Sequence, residues 1–402
     1  MKKFFAALLV LALALTGLSG CGGEGSEGGS NELTIAVLRE DGFLTSAARK
    51  FEEMHDGRYI VTIVVYDDFT TYSQMISAAL MGGRGEDIIS ASHLTWQRLA
   101  DTNRLVDLNG KINLEPGKYY QSVMDAFLHN GGRYVIPLNF TMDAISFNDM
   151  VTTNINPNRF SLEDLLDLAD RYPEIPLMAS PMGMNGTILA FKFFTLNFHE
   201  YIDLVNRTAN VNNDSFITLL ENVESIAYRL RWPMPGEELL IMGNIFFNAT
   251  MSSAGLVDYT AYHLMTNSAG GALVSTHSLM ALNANSQNQE LAARFIEFLI
   301  SEEMQTSPEM WANPINRNAA IESSRAMLES VRAGGYEPVG FDLERNIAEF
   351  NRLAGRLTVA GTSDPFIGDF VRTEMTRFFN GEVSAQQAAS NLQARLTTYL
   401  NE

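Results

Sequence analysis

Three polar clusters among the first hundred residues carry side chains suited to holding a solute: Arg39 and Asp41 after the apolar run LTIAVL (33–38), Tyr66, Asp67 and Asp68 at the end of YIVTIVVY (59–66), and His93 and Trp96 after DIIS (87–90). A guanidinium fork, carboxylates, a ring nitrogen and flat aromatic faces can bind hydroxyls by hydrogen bonding and C–H faces by stacking. Further candidates of the same kind are Asn139 and Asp143 in YVIPLNFTMDAISFNDM, Asn185 in the glycine-flanked MGMNG, Trp232 in RLRWPMPGEE, Asp258 and Tyr259 in GLVDY, and Trp311 just before NPINRNA. In SAGG, Gly271 would let the backbone come close to a ligand. Each position also has a plainer reading as a cap, a turn or a core residue. Trp96 shares helical spacing with Leu99 and Ala100 and could pack inward instead of stacking on a ligand.

The chemistry of covalent catalysis is harder to find. The chain has no G-x-S-x-G, no H-E-x-x-H and no P-loop. Its six histidines (55, 93, 129, 199, 263 and 277) include no pair at i, i+3 or i, i+4, so no zinc site is expected from them. No catalytic residue, metal or cofactor is assigned. A glycosidase needs only two well-placed carboxylates, so a secreted glycosidase stays open as an alternative. The net charge of −19 argues against nucleic acid as a partner and against a polybasic grip on anionic lipid.

The only cysteine, Cys21, follows a leader of Lys2, Lys3 and a twelve-residue apolar stretch, Phe4 to Leu15. A helix needs about 20 apolar residues to span a bilayer, so this stretch reads as an export signal. Leu18, Ser19, Gly20 and Cys21 resemble a bacterial lipobox, in which the thiol takes a diacylglyceryl group, palmitate-type chains included, and cleavage occurs just before the cysteine. Two acyl chains anchor stably where one does not. The mature chain would then have no free thiol, which suits an exported protein without disulfides. Gly22 to Ser30 contains nothing to bury and reads as a flexible tether with a reach of roughly 15 to 18 Å. Loss of residues 1–20, with their two lysines, moves the net charge from −19 to −21.

About 370 residues remain, more than one core usually manages, so two lobes are expected. The three apolar runs predict strands. Between them Ala47, Ala48, Phe51 and Met54 share one helical face, and Tyr72, Met75, Ile76, Ala79 and Leu80 share another that ends at Gly82 and Gly83. Strands alternating with helices imply parallel pairing through helical crossovers. Ser286 with Gln289 and Ser384 with Gln387 have capping-box spacing. Phe295, Ile296 and Leu299 predict one buried helix face and Leu392, Leu396 and Tyr399 another, while Gly381 stands where a left-handed cap would close the helix before it.

The segments FEEMHDGRYIVTIVVY, YSQMISAALMGGRGEDIIS and RLADTNRLVDLNGKI together resemble the first lobe of bacterial extracellular solute-binding proteins of the sugar-binding, maltose-binding-protein-like class. YVIPLNFTMDAISFNDM looks like that family's first crossover between lobes, residues 270–305 like its return strand and helix, and NPINRNA like its last crossover. Where the family commonly has Gly, a spacer and Pro-Asp, this chain has Gly85, Glu86 and Asp87. The resemblance implies an α/β, two-lobe periplasmic-binding-protein type II fold, each lobe a mainly parallel sheet flanked by helices and joined by hinge crossovers. The implied division is a signal peptide (1–20), lipidated Cys21 and tether (21–31), lobe 1 (32–140 plus 273–313) and lobe 2 (141–272 plus 314–402). It further implies a monomer, lipid-anchored on the extracytoplasmic face of the cell membrane, that closes its cleft on a small-molecule solute, most simply an oligosaccharide. The loaded form would be handed to the permease subunits of an ABC transporter. Arg39 and His93 fall where the maltose-binding protein contacts its ligand. Non-sugar solutes stay open: a polyamine could use Asp41, Asp67, Asp68 and Tyr66, a peptide is not excluded, and an anion would want several cations, of which Arg39 is the evident one.

Overall fold

The computed structural model describes residues 31–152, 156, 158–180, 183–246, 251–252, 255–256, 262–310, 312–335, 341–361 and 364–401. The leader, Cys21, the tether, Asp258, Tyr259 and Trp311 lie outside the described residues.

The first sheet starts from the predicted apolar runs. β1 (Glu32–Leu38) and β2 (Ile60–Tyr66) pair in parallel from Glu32↔Ile60 to Leu38↔Tyr66, and β3 (Ile88–Ser90) pairs in parallel on the other side of β1, Ile35 opposite Ile88. The connecting helices are α1 (Gly42–Met54) and α2 (Phe69–Met81). Their buried stripes are narrower than the spacing predicted: Met54, at the end of α1, and Met75, off the Tyr72–Ile76–Leu80 line of α2, are 56% and 54% exposed. A short helix, α3 (Trp96–Asp101), follows β3. Two strands that come from or go to the other lobe complete the order β2-β1-β3-β10-β4, where β4 is Ile136–Pro137 and β10 is Leu279–Leu282. β10 runs antiparallel to both neighbours. Leu38, Tyr66 and Ser90 therefore end at the same edge at which β4 leaves and β10 enters.

The second sheet is built on β5 (Asn139–Phe147), which continues from β4 after one residue. Its other strands are β6 (Met178–Ala179), β7 (Ile241–Phe246), β8 (Tyr262–Leu264), β9 (Ala272–Ser275), β11 (Asn313–Pro314) and β12 (Leu357–Ala360). The order is β12-β9-β5-β7-β6, with β8 and β11 also paired to β5. Only β6–β7 and β9–β12 are parallel, and every partner of β5 is antiparallel to it. The expectation of mainly parallel sheets thus gives way to mixed ones. β5 carries the chain out of the first lobe and β9 carries it back, so the two must run in opposite directions when they lie side by side.

The helices of this half are α4 (Leu162–Arg171), α5 (Gly186–Leu196) and α6 (Asp214–Ala227). α7 (Gln289–Leu299) then covers the first sheet, α8 (Arg317–Ala333) and α9 (Leu343–Ala354) follow the last crossover, and α10 (Pro365–Phe379) and α11 (Ala385–Asn401) close the chain. Apolar side chains form two separate cores. One gathers Ile35, Ile89, Phe140 and Phe295, the other Phe193, Phe194, Phe216 and Leu392. Residues 314–357, expected with lobe 2, place Ile315, Ala320, Phe350, Leu353 and Leu357 in the first core. Phe350 reaches it by packing edge-on to Tyr120, with ring centres 5.9 Å apart.

The predicted caps divide. Gly381, at φ 75°, follows α10 and donates to Phe378 O at 2.8 Å, as a left-handed cap should. Ser384 Oγ accepts from Gln387 N at 3.2 Å, which is half of a capping box. The pair Ser286 and Gln289 forms none: Asn288 is the N-cap of α7, Gln289 donates to Ala284 O, and Ser286 Oγ donates to Asp87 Oδ1 at 2.6 Å. Buried Asp87 also accepts from Thr34 N and Thr34 Oγ1, both at 2.9 Å. The loop that lacks the family's proline is held by this carboxylate and by Asn283, whose amide donates to Arg84 O and Glu86 O.

Candidate functional site

At the common edge of β1, β2 and β3 the loops present their side chains, the usual place for a ligand in open α/β sheets. Arg39 sits at φ 70° just past β1, its N–H donating to Tyr66 O at 2.8 Å and its side chain exposed. His93 is half-buried and meets the ring of Phe69 edge-on, centres 5.8 Å apart. Burial depresses its pKa, and the nearby His277 and Arg39 depress it further, so near neutral pH it offers an uncharged ring. Arg39, His93, His277 and Phe69 form one rim.

The other predicted residues on this edge turn to structural work. Asp41 is the N-cap of α1, accepting from Phe43 N at 2.9 Å and Leu44 N at 3.3 Å. Asp68 caps α2 in the same way, and the Thr71 amide holds its carboxyl below the usual range. Tyr66 packs edge-on to Tyr72 and donates to Glu86 at 3.4 Å; burial and Glu86 raise its pKa. Asp67 is exposed. Trp96 is only 2% exposed and belongs to the first core, its ring 5.9 Å from that of His129, so the inward reading of its helical spacing prevails.

The second sheet supplies the opposite wall. Asp143, on β5, is paired with Lys192 of α5. The pair borders a cavity of about 400 Å³ whose lining includes Thr187, Phe191, Ser275, Asp364 and Arg372. The Arg372 guanidinium carbon lies 4.6 Å over the Phe191 ring centre. A Cβ at position 368 would stand 3.3 Å from an Arg372 nitrogen, a tight contact that a small shift of the guanidinium relieves. Asp364 caps α10, accepting from Phe366 N at 3.0 Å and Ile367 N at 3.1 Å.

The same buried carboxylate reaches across to the first lobe. Asp364 Oδ2 accepts from Thr95 Oγ1 and from Tyr399 OH, both at 2.9 Å, and Phe69 and Phe366 bring their rings within 6.2 Å. Burial and Asp364 push the Tyr399 phenol well above its ordinary pKa, so it stays a donor. Thr95 precedes α3, whereas Asp364 and Tyr399 belong to the C-terminal helices, so this cluster joins the two walls.

Four further expectations are relocated. Asn139 is buried at the first crossover, where its Oδ1 accepts from His277 N at 3.2 Å and Thr276 Oγ1 at 3.3 Å; it ties two crossovers together. Asn185 is the exposed N-cap of α5, accepting from Ile188 N at 2.9 Å. Trp232 is 53% exposed in the loop leading to Ile241, which stands opposite Phe147 at the far end of β5 from Asp143. Gly271 lies in a turn with Asn267, where a Cβ would come within 2.8 Å of Thr358 Oγ1, so β12 is the close neighbour that requires glycine.

Of the predicted residues, Arg39, His93 and Asp143 thus border the cleft, and Lys192, Phe191, Arg372, Asp364, Thr95, Phe69 and His277 join them. Two signals for these were present. Lys192 is the only charge in the helix GTILAFKFFTL, and Asp364-Pro365 is a helix-start signature. A second cavity, of about 300 Å³, opens between Phe127–His129 and Phe198–Val205.

No family model matches the chain, and no curated protein matches it. Solved structures do. The GacH receptor of Streptomyces glaucescens, studied unliganded and with acarbose, superposes with a TM-score of 0.56 at 17% identity, over 92% of this chain and 98% of that one. An ABC substrate-binding protein of Listeria monocytogenes in complex with cycloalternan gives 0.55 at 14% identity, over 92% and 99%. An ABC-transporter solute-binding protein of Thermotoga lettingae, bound with α-D-tagatose, gives 0.52 at 16% identity, over 92% and 100%. These likenesses establish the fold, a two-lobe α/β architecture of the type II periplasmic-binding-protein kind.

The Thr95–Asp364 contact generates a prediction. A hydrogen bond to a charged group contributes about 1.5 to 3 kcal/mol. Thr95→Val should therefore weaken the joined state and increase the radius of gyration of the free protein in X-ray scattering. An unchanged radius would show that Thr95 does not hold the walls together.

Proposed function

We propose that this chain is a membrane-anchored extracytoplasmic solute receptor that closes two lobes on a carbohydrate and delivers it to an ABC-transporter permease. The observation that carries the reading is the composition of the cleft. Lys192 and Asp143 pair, offering donors and acceptors suited to hydroxyls, beside the aromatic ring of Phe191 and opposite the His93 rim. Pockets between domains joined by hinges are where such proteins take their ligands. The saccharides bound by the neighbours of this fold support the same ligand class. Of the proposed polyamine wall, Asp41 and Asp68 serve as helix caps and Tyr66 turns toward Glu86, while Asp67 is exposed.

We assign the lobes by the two sheets, with α8 and α9 beside the first because Ala320, Phe350 and Leu353 pack in its core. Anchoring rests on the lipobox-like residues Leu18 to Cys21, with Gly22 to Ser30 as the leash that keeps the receptor near its permease. The solute has to favour the closed state over the open one, since equal affinity for both would shift nothing.

A thermal-shift panel of oligosaccharides and polyamines tests the ligand class. A ligand at 100 times its dissociation constant stabilises the folded state by about 2.7 kcal/mol. At least one saccharide should raise the melting temperature and be recovered intact after prolonged incubation. A response to polyamines alone would refute the carbohydrate reading, and released reducing sugar would indicate a glycosidase. For the anchor, Cys21→Ser should move the protein from the membrane fraction to the soluble one; continued membrane association would refute lipidation at this residue.

A further inference from the structure

The walls of the cleft differ in charge from the chain that carries them. The sequence has 47 acidic residues against 28 lysines and arginines. At the cavity beside Phe191, Asp143 is neutralised by Lys192. Asp364 is occupied by two backbone amides and two hydroxyls. Asp364 keeps its negative charge among these neutral donors, so the lining carries two acids and two bases, and Arg372 is the base that no ion pair engages among the described residues. Its guanidinium lies 4.6 Å over Phe191 and beside the notch at Gly368, and no carboxylate pairs with it among the described residues. Arg39, on the opposite rim, is likewise without a carboxylate partner among the described residues.

We infer that the solute is an acidic saccharide of the uronate type, whose carboxylate is received by Arg372. The inference rests on the carbohydrate reading above and narrows it. A guanidinium seated on an aromatic face has lost part of its freedom already, and its N–H edge remains available for the two parallel bonds that a planar carboxylate accepts. Arg372 is exposed in the free protein, so its charge is screened by water until a ligand covers it. Closure over the solute removes that water and strengthens the pair at the moment of binding. Arg39 supplies a second guanidinium on the first-lobe rim, beside His93, whose pKa is depressed first by burial and then by His277 and Arg39. A neutral sugar would leave Arg372 uncompensated when the cleft closes. A cationic solute would meet Arg372 and Arg39 directly.

Isothermal titration with matched pairs of oligosaccharides, built from glucose and glucuronate, galactose and galacturonate, or mannose and mannuronate, tests the assignment on the purified protein. The acidic member of at least one pair should bind roughly tenfold or more tightly than its neutral counterpart. That preference should shrink on going from 50 to 500 mM salt, as a partly exposed charge pair requires. Arg372→Gln should abolish the preference, so that the acidic member binds no more tightly than the neutral one. Arg372→Lys should restore it only in part, because an ammonium lacks the fork. Neutral members binding as tightly as acidic ones would overturn the inference and leave the carbohydrate reading standing. Binding by no member of either kind would overturn both. An acidic preference that survives Arg372→Gln would remove Arg372 from the role given to it here.

Discussion

A chain that leaves one sheet for another loses its strand partners at the crossing, and backbone N–H and C=O groups buried there must find other partners. In this protein side-chain amides supply several of them. Gln305, fully buried, donates to Leu138 O and Leu299 O, both at 3.0 Å, and accepts from Ile315 N at 2.8 Å. Asn139 receives the amide of His277, and Asn316 donates to Ile300 O while capping α8. Three crossings are thereby bound to one another through side chains as well as by backbone pairing, Asn313–Pro314 against Asn139–Phe140 and Leu138 N to Ser278 O at 2.9 Å. The first core continues onto β5 and β9 through Met142, Ala144, Ala272 and Val274, whereas Ile145 of β5 joins the second, so the second sheet is the layer between the two cores.

The positions of the walls follow from this arrangement. β4 leaves and β10 enters at the edge where β1, β2 and β3 end, so the loops bearing Arg39, Phe69 and His93 open beside the hinge. β5 starts there too, which places Asp143 within reach of Lys192 and near the N-termini of α5 and α10. Asp364 then has two tasks, capping α10 and receiving Thr95 and Tyr399. Both tasks saturate its carboxylate.

Much of the architecture was legible in the sequence because strands and amphipathic helices have periods that short windows reveal. β1, β2, β3, α1 and α2 all fall where their apolar patterns predicted, and the crossover segments matched the family resemblance. Errors arose where one spacing serves two purposes. An Asx residue before a helix can be a ligand contact or a cap, and Asp41, Asp68 and Asn185 are caps. Trp96 with Leu99 and Ala100 is a helix face either way, and only three-dimensional packing shows that it points inward. Ser286 had the right spacing for a capping box but is taken by Asp87, nearly 200 positions away in the chain. Distance in sequence also hid the second wall. Lys192, Arg372 and Asp364 belong to segments far from Asp143 and Thr95, and nothing local indicates that they meet.

The central claim is that the solute is held between the Phe191–Arg372 wall and the Arg39–His93 rim. A crystal structure of the protein with a saccharide that raises its melting temperature tests this most directly. The account predicts the sugar in the cavity bordered by Asp143, Lys192 and Phe191, with the first-lobe rim closed over it. A saccharide bound in the cavity between Phe127–His129 and Phe198–Val205, or on the exposed loop of Trp232, would contradict it.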